Sequence, residues 1–119
     1  MNSKEVVAAL GALAQDSRLA VYRLLVKRGP EGYAAGEIGE RLDIPAPTLS
    51  FHLKALAQAG LVTARKEGRY VHYRADIEGM HALVAYLTEN CCSLGSVCAP
   101  SCAPGDALPV RGRAAARAR

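Results

Sequence analysis

The stretch "PTLSFHLKALAQAGLVTARKEGRYVHYRA", residues 47–75, decides the fold, because two periodicities meet in it. Up to Ala59 it reads as a helix. At about 100° per residue, Leu49, Leu53 and Leu56 fall within roughly a 60° arc and form one core-facing stripe. The opposite side presents Pro47, Phe51, Lys54, Ala55 and Gln58, flanked by Thr48 and Ser50. A small, polar and singly basic outer face is what a helix needs to enter a DNA major groove without clashing. His52 lies at the edge of the leucine stripe, where it is either a hydrogen-bonding core residue or a base or phosphate contact. After Gly60 the pattern changes to β-branched and aromatic residues on two arms joined at Glu67 and Gly68. This is the signature of a hairpin whose tip needs positive φ. The arms carry Arg65, Lys66, Arg69, His72 and Arg74.

Working outward, Val6, Leu10 and Leu13 repeat at helical spacing, so residues 3–14 read as a first helix. Asp16 reads as the N-cap of a second, "SRLAVYRLLVKR", closed by Gly29 and Pro30. "EGY" then reads as a loop and "AAGEIGERL" as a short third helix. "DIPAP" breaks the chain before the helix of residues 47–59. Two short helices around a tight break are the skeleton of a helix-turn-helix, and a basic hairpin directly after it reads as a wing for the phosphate backbone. Last comes "IEGMHALVAYLTEN", in which Ile77, Met80, Val84 and Leu87 align. The expected fold is therefore mainly α with a β-hairpin wing, a winged helix-turn-helix.

Charge supports that reading once the chain is divided. Residues 1–45 hold six basic and six acidic side chains, whereas residues 46–75 hold five basic and one acidic. Residues 76–106 hold four acidic side chains and no basic one, and the last four arginines lie in the tail "VRGRAAARAR". Positive charge in the folded part is concentrated where a polyanion would bind. No catalytic constellation or catalytic cofactor is expected. "VVAALGALA" has the length of a signal-peptide core, but Glu5 interrupts its basic end. No run approaches the roughly 20 apolar residues of a membrane span, so a cytoplasmic location without membrane contact is expected.

"LSFHLKALAQAGLVTARKEGRYVHYRA", with "LAQDSRLAVYRLL" upstream, resembles the ArsR/SmtB family of winged-helix, metal-responsive transcriptional repressors over about residues 5–90. The resemblance implies a homodimer paired through its first and last helices, with Val6, Leu10, Leu13, Met80, Val84 and Leu87 as interface candidates. It also implies a palindromic double-stranded operator that is released when an inducer binds. Departures from the family pattern are equally informative. The third helix has Ala34, Ala35 and Gly36 where one type of arsenic sensor has a Cys-x-Cys pair. The last-helix zinc positions fall on Asp76, Glu78, Glu89 and Cys92, with no imidazole among them. Pro45 and Ala46 replace a polar cap and glutamine in the turn. Phe51 stands where arginine is common, and is placed to touch a thymine methyl.

All four cysteines lie between residues 91 and 102. In a reducing compartment such clustering points to metal or redox chemistry rather than structural bridges. "NCCSLGSVC", residues 90–98, resembles the arsenite and antimonite sensors whose thiols follow the last helix. Soft thiolates select soft ions. As(III) or Sb(III) is the expected inducer, held by Cys91, Cys92 and Cys98 with Cys102 in reserve. Adjacent cysteines cannot share a face of a regular helix, so the helix must end there. The competing readings are a zinc, cadmium or thiol-redox responsive repressor, and a thiol metalloid carrier with no DNA role. The expected organisation is a DNA-binding and dimerisation domain at 1–90, a metalloid-binding segment at 91–102 and a disordered basic tail at 103–119.

Overall fold

The computed structural model describes residues 1–95. Cys98, Cys102 and the tail lie outside the described residues. A compact unit comprises Met1–Leu87, and a second begins at Thr88.

In the first unit, α1 (Ser3–Leu13) starts at a reciprocal cap: Asn2 Oδ1 accepts from the Glu5 N–H, and Glu5 Oε1 accepts from the Asn2 N–H, both at 2.9 Å. Helix α2 (Asp16–Arg28) is capped one residue earlier than its sequence suggests. Gln15 supplies the oxygen that accepts from the Arg18 N–H at 2.8 Å. Asp16 is thus the first helical residue, where its charge still suits the helix dipole.

The "EGY" segment is not purely loop. Tyr33–Ala34 forms β1, too short to leave a periodic signal. Tyr33 is buried beneath two guanidinium groups, those of Arg28 and Arg41, each 4.7 Å from its ring centroid. Two of the basic residues outside the 46–75 segment therefore clamp an aromatic ring.

Helix α3 (Ala35–Leu42) is half-capped, since Glu37 accepts from the Ala34 N–H and alanine has no side chain to return the bond. Asp43, in the left-handed region at φ 55°, turns the chain, and α4 (Ala46–Gln58) follows with Pro45 at its N-cap. Strands β2 (Val62–Glu67) and β3 (Tyr70–Ala75) pair antiparallel from Val62↔Ala75 to Glu67↔Tyr70. Gly68 takes φ 63° while Arg69 keeps an ordinary negative φ, the pattern of a type II′ turn. The sheet order is β1-β3-β2, with β1 paired through Tyr33↔Tyr73 and Ala34↔His72. Helix α5 (Ile77–Thr88) begins where Asp76 accepts from the Gly79 N–H at 3.0 Å. That gives Asp76, one of the candidate zinc positions, a capping role.

Val21, Leu25, Ile38, Leu49, Leu53, Leu56 and Leu61 fill the centre, and Ala9 and Leu83 bring in the first and last helices. The Tyr22 hydroxyl is buried there without a hydrogen-bond partner, and burial, then the Asp76 carboxylate, raises its pKa. Among the described residues no helix is long and apolar enough to cross a membrane.

Candidate nucleic-acid interface and thiol site

Helix α4 turns its leucines inward as the periodicity requires, and Pro47, Thr48, Ser50, Phe51, Lys54 and Gln58 remain exposed. Phe51 is 62% exposed, an unusual state for a phenyl ring on a face otherwise polar. His52 goes the other way. It is 6% exposed, and its Nδ1 accepts from Arg18 Nε at 3.2 Å. Burial, then the Arg18 charge, lowers its pKa, so the ring is held neutral with Nδ1 as acceptor. Of the two readings of His52, the hydrogen-bonding one fits, and the residue leaves the outward set. Arg18 gives no sign of this role in the sequence, because its partner is 34 residues away.

The hairpin register divides a basic set that looks uniform in sequence. Thr63, Arg65, Glu67, Tyr70, His72 and Arg74 share one face, and Lys66 lies on the other opposite Val71. Arg69 sits in the turn. Glu67, the only acid among residues 46–75, lies 3.1 Å from Arg65 Nη2 and 3.6 Å from His72 Nε2. Arg74 Nε donates to Thr63 Oγ1 at 3.3 Å. Arg65 is thus partly balanced within the hairpin, and Arg69 presents its charge at the tip.

The interface candidates also separate. Val6, an interface candidate in the sequence, is 3% exposed and is buried in the chain's own core instead. Leu13 and Met80 are half-buried against that core. Leu10 at 43%, Val84 at 49% and Leu87 at 56% stay exposed, joined by Val7 and Ile77. Both terminal helices therefore carry an apolar side that the core does not cover.

In the second unit the chain leaves helical geometry after Thr88. Asn90 and Cys92 take positive φ, and three turn hydrogen bonds link Thr88 to Cys91, Asn90 to Ser93 and Cys92 to Gly95. The turns bring Cys91 Sγ and Cys92 Sγ to 3.6 Å. That is too long for a disulfide, whose S–S bond is about 2.05 Å. An ion bonded to both sulfurs at about 2.3 Å would see them about 100° apart, an ordinary chelate angle. Among the described residues no three His, Cys, Asp or Glu side chains converge as a metal site. Cys98, the expected third donor, and Cys102, its expected reserve, lie outside the described residues.

A helix-turn-helix domain family matches residues 13–65. The uncharacterized HTH-type transcriptional regulator YceK of Bacillus subtilis is 45% identical over 67 residues, which cover 55% of this chain and 66% of the relative. An arsenical resistance operon repressor of Staphylococcus xylosus is 32% identical over 76% of this chain and 80% of its own length. The transcriptional activator HlyU of Vibrio cholerae is 32% identical over 76% of this chain and 82% of its own length. An ArsR-like transcriptional regulator from Rhodococcus superposes with TM-score 0.64 at 27% identity, covering 71% of this chain and 76% of that one. A homodimeric winged helix-turn-helix DNA-binding domain from Mycobacterium bovis superposes with TM-score 0.59 at 29% identity, covering 81% and 89%.

A helix-turn-helix followed by a basic hairpin stitched to the same sheet defines a winged helix-turn-helix protein. The chain belongs to the ArsR/SmtB family of such transcriptional regulators.

Proposed function

We propose that the chain is a homodimeric repressor that binds operator DNA and releases it when As(III) or Sb(III) is bound by Cys91, Cys92 and Cys98. The observation that carries this reading is the pair of sulfurs 3.6 Å apart, placed directly after α5 in sequence. Two sulfurs at that separation suit one soft ion, and a third thiol six residues on completes three-coordination. The exposed apolar sides of α1 and α5 are what a second copy would cover, and the arsenical resistance repressor among the relatives supports the inducer class. Operator and metalloid then disfavour each other by linkage. Couplings of this kind are typically about 1–3 kcal/mol, and a switch from mostly bound to mostly free needs roughly 5 kcal/mol of differential affinity.

The same sulfur pair favours one rival, oxidation to a disulfide. A zinc or cadmium response would need Cys102 as a fourth ligand. Operator release titrated with arsenite, antimonite, zinc, cadmium and hydrogen peroxide separates these readings. Cys91→Ser, Cys92→Ser and Cys98→Ser are each expected to keep operator binding and lose release by arsenite, whereas Cys102→Ser responds almost normally. Full release of the Cys98→Ser protein by arsenite would eliminate the three-thiol site. A chain that binds arsenite but no duplex would be a carrier.

A further inference from the structure

One cation beside α4 has no place in the interface described so far. Arg18 rises from the first turn of α2, its backbone N–H fixed by the Gln15 cap. Its guanidinium leans across to α4, where Nε donates to His52 Nδ1 at 3.2 Å and the carbon lies 5.6 Å from the Phe51 ring centroid. The two contacts set the group in two ways: the hydrogen bond fixes one edge of the plane, and the ring holds the cation against α4's exposed side. The remaining guanidinium N–H groups meet no acceptor among the described residues. A planar fork so positioned, with no carboxylate partner among the described residues, matches the oxygens of a phosphodiester.

We infer that Arg18 is a phosphate contact of the DNA interface, positioned across the α2–α4 junction by the His52 imidazole and the Phe51 ring. The interface thereby extends to α2, beyond the basic segment of residues 46–75. A side chain arriving from a neighbouring helix flanks the groove rather than entering it, so the backbone and not a base edge is its partner. Phe51 gains a purpose as well: its exposed ring is the platform on which the cation rests, and the positive charge absent from position 51 is supplied from position 18. His52 is in this sense a positioning residue, acting on DNA only through Arg18.

The inference rests on operator binding and not on the identity of the inducer. Fluorescence anisotropy of the full-length protein on operator and on an unrelated duplex, over a series of salt concentrations, tests it. Arg18→Gln is expected to weaken both duplexes by the same factor and to reduce the slope of log K against log salt by about 1. Arg18→Lys keeps a cation without the fork and should restore the slope. His52→Leu, which leaves the charge but removes its anchor, should weaken binding less than Arg18→Gln. Melting temperatures of the variants identify any loss that is only structural, since a destabilised but unaltered interface keeps the wild-type slope. An unchanged slope in Arg18→Gln overturns the inference, as does a loss confined to the operator, which would make Arg18 a base contact. If the wild-type protein binds neither duplex, operator binding itself fails and this inference with it.

Discussion

At position 52 a helix whose outer side is exposed and polar buries an imidazole on its inner side, and the consequence is a built-in sensitivity to acid. Burial, then the neighbouring Arg18 charge, lowers the His52 pKa from 6.5, so the unfolded chain takes up this proton more readily than the folded one. Stability from this residue is therefore complete above about pH 6.5 and declines as pH falls below that value toward the lowered folded pKa. Thermal melts of wild type and His52→Gln between pH 7.5 and 5 should show a smaller acid-side fall in Tm for the variant. Parallel falls would mean that another group controls the acid limb. How much of this was legible in sequence is clear from the residue itself. Its position at the edge of the leucine stripe left two readings open, because helical spacing gives the direction of a side chain but not the partner waiting there. Arg18 carried no signal at all, being one of six basic residues in a charge-balanced segment.

For elements, the hairpin gives the clearest contrast between composition and geometry. Sequence reading located both arms and the glycine between them, since β-branched alternation and a turn residue are local signals. Composition alone does not distinguish the basic side chains on the arms, and the register separates them. Arg65 lies beside Glu67, whereas Arg69 occupies the turn. We predict that Arg69→Gln lowers duplex affinity more than Arg65→Gln and removes about 1 from the salt slope. Glu67→Gln should tighten binding, because it releases Arg65 and removes the one like-charged repulsion of phosphate in the segment. Salt-dependent binding isotherms for the three variants check this, and equal effects of the two arginine changes would show that the Arg65–Glu67 pair does not persist on DNA. Strand β1 escaped sequence reading for the opposite reason. A two-residue strand has no period, and its existence depends on β3, some 40 positions later along the chain.

On the scale of the whole molecule, the stripes on the first and last helices were visible in sequence but their coverage was not, since an apolar residue looks the same whether its own chain or another buries it. Val6 and Leu83 turn into the core, while Leu10, Val84 and Leu87 stay exposed. Leu10→Glu with Leu87→Glu is predicted to leave the winged-helix core folded and to convert a dimer into monomers in sedimentation. Each charge costs little on a wet surface and much in a closed apolar one. Operator affinity should fall with the loss of the second half-site, and a double variant that remains dimeric would move the interface elsewhere. The strand order has a mechanical corollary. Because β3 lies between β1 and β2, the wing shares backbone hydrogen bonds with the segment that leads into α3, and it is not a flap on a hinge. The wing and the segment that enters the helix-turn-helix are thus set at a fixed gauge within each copy, like one jaw of a pair of callipers. Under the proposed function, an inducer would then act by altering the distance or angle between the two copies rather than by swinging the wing within one.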